Sequence, residues 1–431
     1  MSAKYLSIKE IVRSVSETHS FNKERLLAVN TSDVENGNLL EVAYMPTGNL
    51  KGQFKKTIRQ NDILFSEIRP ANRRFALVKT SETSDYVVST KLMVLRKYND
   101  DVDLDYFYYC LTNQPFLEIL QRRAENRICS FPQITFDLLG EYKFPIPPLE
   151  DQKRIARIIR SIDDKIENNR AINRNLEAMA KQLYDYWFVQ FDFPDENGRP
   201  YKSSGGKMIW NEDVKSFIPS NWTMVSVNDV ASSQRGVSFD KKDIKDNGVQ
   251  VLRGNNIEDD HFVSDSNTIF ISKDLVSEEQ VIKQHDIIMT MSSGSKEHVG
   301  KCMQFQVNSS HTYGAFMNRF RARKYPHYLF LFLTSKFFKM KIKSMCNGTG
   351  INNLTYKNFD DILMPMGPEN IMNKFSRLIY PLFEEIGCND SVIQTLTNQR
   401  DELLPLLMNG QVSVKQPAVN CDLVGVEGIA A

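Results

Sequence analysis

The sequence predicts an α+β fold in which two β-rich globular domains are separated by two long helices that pair as an antiparallel coiled coil, with pseudo-twofold symmetry. Three observations lead to this prediction. The chain contains a long internal repeat, each copy of the repeat carries an apolar seam with a spacing of 3.5 residues, and short β-like runs precede each seam.

The repeat aligns residues 131–188 with residues 351–408 after a shift of 220 positions, without a gap. Gln133 falls on Asn353, Thr135 falls on Thr355 and Pro148 falls on Pro368. A chain that contains two related copies is a pseudo-dimer, so we expect it to meet a two-part target through two similar surfaces.

The domain boundaries follow from this repeat. We expect globular domains over 1–147 and 195–366, long helices over 148–190 and 367–410, and a polar tail over 411–431. Each globular segment combines β-like runs with one aromatic, helix-like stretch. The β-like runs are Phe75–Val78, Tyr86–Val88, Leu92–Leu95, Val249–Leu252, Thr268–Ile271 and Asp286–Met291, and the helix-like stretches are Asp105–Arg123 and Tyr328–Met345.

The long helices are assigned by a heptad count. The d positions start at Ile158 and Leu378 and recur every seven residues. Asn169 and Asn389 interrupt the seams at equivalent positions, so we expect them to be neighbours or, alternatively, to face solvent; Pro381 should kink the second helix or delay its start. The a positions are Ile155, Ile162, Asn169, Leu176 and Leu183, then Phe375, Leu382, Asn389, Leu396 and Leu403.

The helix length also suggests a spacing device. About 34 residues at about 1.5 Å each give roughly 50 Å. That length exceeds one turn of B-DNA, about 34–36 Å, and suits two domains that dock on one face of a duplex.

Composition limits the possible functions. The chain has 431 residues and a formal net charge of +1, but two runs, 51–79 and 319–343, are locally basic, with eight lysines or arginines each. Each run belongs to one copy of the repeat, as expected for a protein that meets phosphate on one face. The six cysteines show no metal-binding spacing, and no apolar run reaches the about 18 residues that a membrane span requires, so we expect a cytoplasmic protein.

Catalytic motifs are not evident. The segment Ser293–Cys302 approaches a phosphate loop, but it has five residues between Gly294 and Gly300 instead of four, and Cys302 replaces the Ser/Thr that would hold Mg²⁺. We interpret this segment as a turn that could also contact DNA. The six histidines show no zinc-binding pattern, and we predict neither a metal site nor a catalytic site.

Several segments resemble the specificity subunits of type I restriction–modification systems. The resemblance rests on the strings Ile146–Ile155, Ile162–Asn169, Leu176–Ala180 and Tyr186–Asp192, which are similar to the central conserved region of that family. Asn61–Pro70 resembles the strand and turn of the family's target-recognition domains, and Asp286–Gly294 is its counterpart. The entry to the second helix, Gly367–Asn370, departs from the pattern.

The resemblance implies that the chain is a non-catalytic DNA-recognition subunit. Each target-recognition domain would read one half of a bipartite double-stranded DNA site, and the coiled coil would set the spacer. Two methyltransferase subunits and two motor–nuclease subunits would be its partners. No cofactor is expected in this chain, because S-adenosylmethionine, ATP and Mg²⁺ would belong to those subunits.

Candidate DNA contacts are side chains suited to phosphates or base edges in loops beside predicted strands. An alternative remains open, namely a coiled-coil scaffold whose two globular domains bind proteins. The candidates are Lys55, Lys56, Arg59, Arg69, Asn72, Arg73, Arg74, Arg122, Arg123, Asn126, Arg127 and Gln133 in the first domain, and Gln234, Arg235, Arg253, Asn255, Asn256, Ser295, Lys296 and Asn353 in the second.

Overall fold

The structure is a computed structural model, and it describes residues 4–50, 52–125, 133–258, 260–263, 268–345 and 352–408. The chain divides into two compact units. Unit 1 comprises residues 1–165 and 395–431, and unit 2 comprises residues 166–394. The division falls inside the two long helices, so each unit contains a segment of both. The predicted tail lies outside the described residues.

In unit 1, a β-rich region that also contains short helices comes before the first long helix in the chain. Its strands are β1 (Lys4–Ser7), β2 (Val12–Val15), β3 (Arg25–Val29), β4 (Val34–Glu35), β5 (Asn38–Leu39), β6 (Tyr44–Pro46), β7 (Phe54–Lys56), β8 (Ile63–Ser66), β9 (Phe75–Leu77), β10 (Tyr86–Ser89), β11 (Leu92–Lys97) and β12 (Lys143–Ile146). Its helices are α1 (Ile8–Ile11), α2 (Leu104–Thr112), α3 (Gln114–Glu125) and α4 (Phe136–Gly140).

The first long helix, α5, spans Leu149–Tyr184 and continues as a π-helical turn over Asp185–Val189. The strands that follow are β13 (Met208–Asn211), β14 (Ser216–Pro219), β15 (Thr223–Ser226), β16 (Ala231–Arg235), β17 (Ile244–Lys245), β18 (Val249–Leu252), β19 (Ile257–Glu258), β20 (His261–Phe262), β21 (Ile269–Ile271), β22 (Ile287–Thr290), β23 (Ser292–Ser293), β24 (Cys302–Gln304), β25 (Thr312–Tyr313), β26 (Met317–Ala322), β27 (Asn352–Asn353) and β28 (Leu363–Met366). The helices are α6 (Val227–Val230), α7 (Pro326–Thr334), α8 (Lys336–Met345) and the second long helix, α9 (Glu369–Met408).

Each aromatic, helix-like stretch forms two helices instead of one. The first stretch breaks at Asn113, whose side chain accepts a hydrogen bond from the Phe116 amide (2.9 Å), and the second breaks at Ser335, which accepts from the Phe338 amide (3.2 Å). Both residues are good N-caps, so each satisfies an amide that would otherwise lack a partner at the start of the second helix.

The two units repeat one sheet topology. Unit 1 has four-stranded sheets in the orders β2-β11-β8-β9 and β6-β3-β10-β7, and unit 2 has β16-β26-β22-β24 and β17-β21-β18-β25. The parallel pair β3–β10 corresponds to the parallel pair β18–β25. These matches show that the internal repeat extends beyond the aligned stretch into the β-rich regions.

The strands β8 and β22 are buried on both faces. Ile63 and Phe65 pack in the core that contains α2 and α3, while Leu64 packs in the core that Val29 and Val88 share. In β22, Ile287 and Met289 join the helical core, and Ile288 joins the second core. Burial on both faces explains why these strands appear in the sequence as continuous apolar runs.

The helix segments pair antiparallel in each unit, but the predicted seam is wrong in one of its two columns. In unit 2, the Trp187 ring packs 5.4 Å from the Phe375 ring, and Asn173 bonds Asn389. Most of the predicted d residues are exposed, for example Met179 by 50% and Leu378 by 50%. The a residues are buried or half-buried, and the second buried column lies one position after d, with Ile159, Ile166, Asn173, Ala180, Ile379 and Ile386.

Asn389 pairs with Asn173 and not with Asn169, the partner that the sequence predicted. The buried Asn389 amide donates to the side-chain oxygen of Asn173 (2.8 Å), and Asn173 in turn donates to Asp390 (2.8 Å). Two antiparallel helices bring equivalent residues together only at the midpoint of the pair, and Asn169 lies one helical turn from the residue that faces Asn389. A buried amide pair is nevertheless present, as expected for a position that fixes helix register.

Pro381 neither ends α9 nor delays its start, since the helix runs from Glu369 to Met408. Pro381 is exposed, so the carbonyl that lacks a helical hydrogen bond one turn earlier can be solvated. Within the described ranges, no helix has the length and apolar character to cross a membrane.

In unit 2, a cavity of about 40 Å³ lies between the β19–β20 hairpin and the helices and has both charged and apolar lining residues. His261 lies 3.2 Å from Glu177, and this bond raises the pKa of His261. Asp260 faces Lys181 (3.5 Å) and Lys339 (3.4 Å). The Asp390 residue is solvent-accessible, but its carboxyl group lines the cavity, where burial raises its pKa to about 6.

The raised pKa of His261 predicts that its bond to Glu177 stabilises unit 2 less as pH rises. A raised histidine pKa gives stabilisation that is complete below the ordinary value of about 6.5 and is lost as pH passes the raised value. Burial lowers the pKa values of His285, His311 and His327, which has the opposite effect, so the test is the difference between wild type and variant. His261→Gln should lower the unfolding temperature more at pH 6.5 than at pH 8, whereas His298→Gln, at an exposed turn, should not. A difference between wild type and His261→Gln that is the same at both pH values would contradict the role of His261.

Candidate nucleic-acid interface

The same strand-end frame occurs in both units. After β8, Ile68 forms an antiparallel bridge with Gln133, and the Ile134 amide donates to the Glu67 carbonyl (2.7 Å). After β22, Ser292 pairs with Asn353 through β23 and β27, and the Leu354 amide donates to the Met291 carbonyl (2.8 Å). In each unit, a loop that leaves a buried strand is therefore fixed beside the segment that carries Gln133 or Asn353, as the repeat alignment suggested.

A buried carboxylate–guanidinium pair fixes the other end of each of these strands. Asp62 is 1% exposed and accepts two bonds from Arg96 (2.8 and 2.7 Å), and Asp286 is fully buried and accepts two from Arg321 (2.7 and 2.7 Å). The hydrogen bonds that Arg96 donates to Asp62 are the main cause that raises the pKa of Arg96. The sequence analysis did not predict either pair, because the two members are 34 and 35 residues apart in the chain.

The Asp carboxylates also close the turns that enter the strands. Asp62 accepts from the Arg59 amide (2.7 Å), and Asp286 accepts from the Lys283 amide (2.7 Å). The intervening residues, Asn61 and His285, have φ angles of 70° and 67°. Left-handed backbone is unfavourable for such residues, so the anchored carboxylate stabilises a turn that the chain would otherwise avoid.

In unit 1, the loop after β8 projects Arg69 and Asn72. Arg69 and Arg73 have φ angles of 47° and 53° and flank a short 3₁₀ turn, Pro70–Asn72. The Ala71 amide donates to Gln121 of α3 (3.1 Å), which fixes the loop against that helix. Arg69 and Asn72 are exposed on this loop. The last turn of α3 carries exposed Arg122 and Arg123, and Asn126 and Arg127 lie outside the described residues.

Arg73 and Arg74 are engaged within unit 1. Arg73 donates from Nε to Asn36 (2.8 Å) and from Nη1 to Gln114 (2.8 Å), and burial lowers its pKa. Arg74 donates to the Ser32 carbonyl (3.2 Å). Each guanidinium therefore joins the loop to the β4–β5 region or to α3, which makes it a brace for the loop that presents Arg69 and Asn72.

The remaining candidates of unit 1 differ in their surroundings. Lys56 donates to the carbonyls of Thr90 (3.1 Å) and Leu92 (2.7 Å), and burial lowers its pKa. Lys55 is exposed in β7, and Arg59 is exposed beside Glu17 (3.1 Å). Gln133 donates to the Glu67 carboxylate (2.8 Å), which orients its amide at the strand end.

In unit 2, the candidates surround the corresponding strand end. Arg235 is exposed at the end of β16 and donates to the Ala315 carbonyl (3.0 Å). Ser295 and Lys296 are exposed in the loop after β23, and Asn353 is exposed in β27. Gln234 shares a ladder position with Arg319, which is 5% exposed, so Gln234 belongs to the face that points into the core.

Arg253, Asn255 and Asn256 form a 3₁₀ turn after β18. The Asn256 side chain is 2% exposed, accepts from the Arg253 amide (2.9 Å) and donates to the Val263 carbonyl (3.1 Å). This geometry gives Asn256 a structural task, the closure of the turn, whereas Asn255 is exposed. Gly254 packs against Thr290, because a Cβ added to Gly254 would lie 3.2 Å from the Thr290 methyl group. The turn therefore lies beside the last residue of β22.

One exposed aromatic residue at this strand end was not predicted. Phe316 is 66% exposed in the turn between β25 and β26, and its carbonyl accepts from the Met291 amide (2.8 Å). The sequence signal was the placement of an aromatic residue directly after Gly314 and Ala315, between two strands. Among the residues that the structure describes, no group of histidine, cysteine and acidic side chains could hold a metal ion.

Comparisons with known proteins identify the family. The family model described as "Type I restriction modification DNA specificity domain" matches residues 5–178 and 219–379, most of the chain. The chain is 40% identical to the HindI specificity subunit of Haemophilus influenzae over 44% of this chain and 41% of that protein. It is 25% identical to the MjaIX specificity subunit of Methanocaldococcus jannaschii over 74% of this chain and 71% of that protein.

A solved structure supports the fold. The S subunit of a type I restriction–modification system from M. genitalium matches with a TM-score of 0.50 and 16% identity, over 95% of this chain and 99% of that chain. The two matched segments of the family model each begin in the β-rich region of one unit and end inside a long helix. The chain therefore belongs to the type I restriction modification DNA specificity domain family, whose model it matches twice.

Proposed function

We propose that this chain is the DNA-recognition subunit of a type I restriction–modification complex and that each unit reads one half of a bipartite double-stranded DNA site. The observation that carries the proposal is the strand-end frame shared by the two units, Ile68 with Gln133 and Ser292 with Asn353. One frame occurs twice with different exposed side chains, as expected for two readers of unlike sequences.

The proposed readers are the exposed polar side chains at these frames. In unit 1, Arg69 and Asn72 have the donors and acceptors that suit guanine and adenine edges in the major groove. In unit 2, Ser295, Lys296 and Asn353 supply a hydroxyl, an ammonium group and an amide, and no guanidinium is among them, so the preferred bases should differ. Lys55, Arg59, Arg122 and Arg123 would contact phosphates, which position the protein without selecting bases.

The long helices are proposed to set the spacer and to bind the partner subunits. Each presents apolar side chains to solvent on one stripe: Ile172 (46% exposed) and Met179 (50%) on α5, and Leu378 (50%) and Val392 (45%) on α9. These residues are seven positions apart on α5 and fourteen apart on α9, so they lie on one face of each helix, and such a face is suited to an additional helix from another protein. We assign it to two methyltransferase subunits, with two motor–nuclease subunits completing the complex. S-adenosylmethionine, ATP and Mg²⁺ would be bound by those partners.

The direct test is DNA binding by the full chain co-purified with its methyltransferase subunits. Mapping of methylated adenines in host DNA, with and without this chain, should reveal two half-sites and a fixed spacer. Affinity for a duplex that contains the mapped site should fall about 10³-fold or more between 50 and 200 mM salt, because phosphate contacts release counterions. Affinity that is independent of salt, with no change in methylation, would favour the protein-binding scaffold instead.

Asn72→Ala and Arg73→Ala should separate reading from bracing. Asn72→Ala should leave the unfolding temperature unchanged and relax selection at one base pair, because Asn72 is exposed. Arg73→Ala should lower the unfolding temperature by several degrees, because it leaves Asn36 and Gln114 without their donor. The measurements are thermal unfolding and binding to duplexes with single base-pair changes. An unfolding temperature that falls equally in both variants would contradict this division.

Met179→Glu should block assembly with the methyltransferase subunits while the chain remains folded, because a charge in an apolar helix contact is costly to desolvate. Ala178→Glu is the matched control, since it adds the same charge at an exposed position about 100° around the helix. Co-purification of tagged chain with the methyltransferase subunit measures the effect. Recovery of the complex at the wild-type level in Met179→Glu would show that this stripe is not the docking surface.

A further inference from the structure

Phe316 is exposed on a rigid backbone. Its carbonyl accepts from the Met291 amide (2.8 Å) and from the Ser292 amide (3.3 Å), and the Met317 amide donates back to the Gly314 carbonyl (2.9 Å). The turn is therefore fixed to the end of β22 on one side and closed internally on the other. The ring, which is 66% exposed, projects from a support that does not need to reorganise on binding.

Hydrogen-bonding groups of the candidate interface flank this turn. Arg235 donates to the Ala315 carbonyl (3.0 Å), one residue before Phe316. Ser292, whose amide bonds the Phe316 carbonyl, pairs in turn with Asn353. An apolar ring among polar side chains matches the surface of a major-groove base edge, where thymine is distinguished by its methyl group beside hydrogen-bonding atoms.

Unit 1 carries a different side chain at the equivalent position. The Glu67 amide donates to the Lys91 carbonyl (3.1 Å), as the Met291 amide donates to the Phe316 carbonyl (2.8 Å). Lys91 lies in the turn between β10 and β11, the counterparts of β25 and β26, and is also exposed. A lysine there offers charge to phosphate or to acceptor atoms, whereas phenylalanine offers only apolar surface. The position therefore differs in chemistry between two otherwise equivalent frames.

We propose that Phe316 is a specificity-determining residue that contacts the 5-methyl group of a thymine in the half-site read by unit 2. This inference rests on the proposed function and adds the class of group that the ring recognises. The backbone of the turn is held by hydrogen bonds at both ends, and its neighbours are suited to base edges, which favours contact within the groove over insertion of the ring between stacked bases.

The test combines a protein change with removal of a single methyl group from DNA. Each thymine of the mapped site is replaced in turn by deoxyuridine, and affinity is measured for the methyltransferase complex that contains the wild type, Phe316→Ala or Phe217→Ala. Phe217 is a matched control because it is 55% exposed in the same unit and pairs with Trp210 in the separate β13–β14 hairpin.

The wild type and Phe217→Ala should lose about fourfold in affinity at one thymine of one half-site, the effect of one buried methyl group. Phe316→Ala should bind thymine and deoxyuridine duplexes equally at that position. An unchanged fourfold preference in Phe316→Ala, or no sensitive thymine in either half-site, would overturn the contact. If Phe316→Ala loses the same factor of affinity, relative to the wild type, for the thymine duplex and for the deoxyuridine duplex, the ring acts as a stacking wedge. That outcome would also overturn the proposed methyl contact.

These outcomes are distinct from failure of the proposed function. If the wild-type complex shows salt-dependent, site-specific binding but Phe316→Ala behaves like the wild type, only the methyl contact is rejected. If the wild-type complex shows no site-specific DNA binding, the proposed function itself is rejected. Phe316→Ala should retain the wild-type unfolding temperature, since the ring is exposed.

Discussion

The buried pairs Asp62–Arg96 and Asp286–Arg321 are the interaction on which the rest of each unit depends. Each pair joins the beginning of a central strand to its neighbour through two short charge-assisted hydrogen bonds. A buried carboxylate is costly to desolvate, and it is tolerated here because the guanidinium and a backbone amide satisfy it. With that end of the strand fixed, the loop at its other end has a defined place beside Gln133 or Asn353.

The two units have kept this frame while their cores have diverged. Three of the valines in the core between the sheets of unit 1 have polar residues at the equivalent ladder positions of unit 2. Arg319 is 5% exposed, and its Nε and Nη1 atoms have no hydrogen-bond partner among the described residues. Such burial is costly, so unit 2 is not a stability-optimised copy of unit 1. The substituted positions are Val15, Val88 and Val94 in unit 1 and Gln234, Tyr313 and Arg319 in unit 2.

The sequence was sufficient to predict the long helices and the matched loops, because both depend on local patterns. The predicted a positions of the helices are confirmed at residues such as Ile155 and Phe375, which are both buried. It was not sufficient for the second seam column, because residues three and four positions apart lie on nearly the same helix face. The choice between Ile158 and Ile159, or between Asn169 and Asn173, is made by the partner helix, which a single-helix pattern does not contain.

The same limit applies to the candidate site. Arginine in a loop beside a strand is a reasonable DNA contact, but Arg69 and Arg73 cannot be distinguished by composition, and only the fold shows that Arg73 bonds Asn36 and Gln114. A loop that holds its shape through such bonds commits some of its polar side chains to its own backbone. Under the proposed function, the polar side chains of this loop therefore fall into two classes, those that brace the backbone and those that would face the DNA.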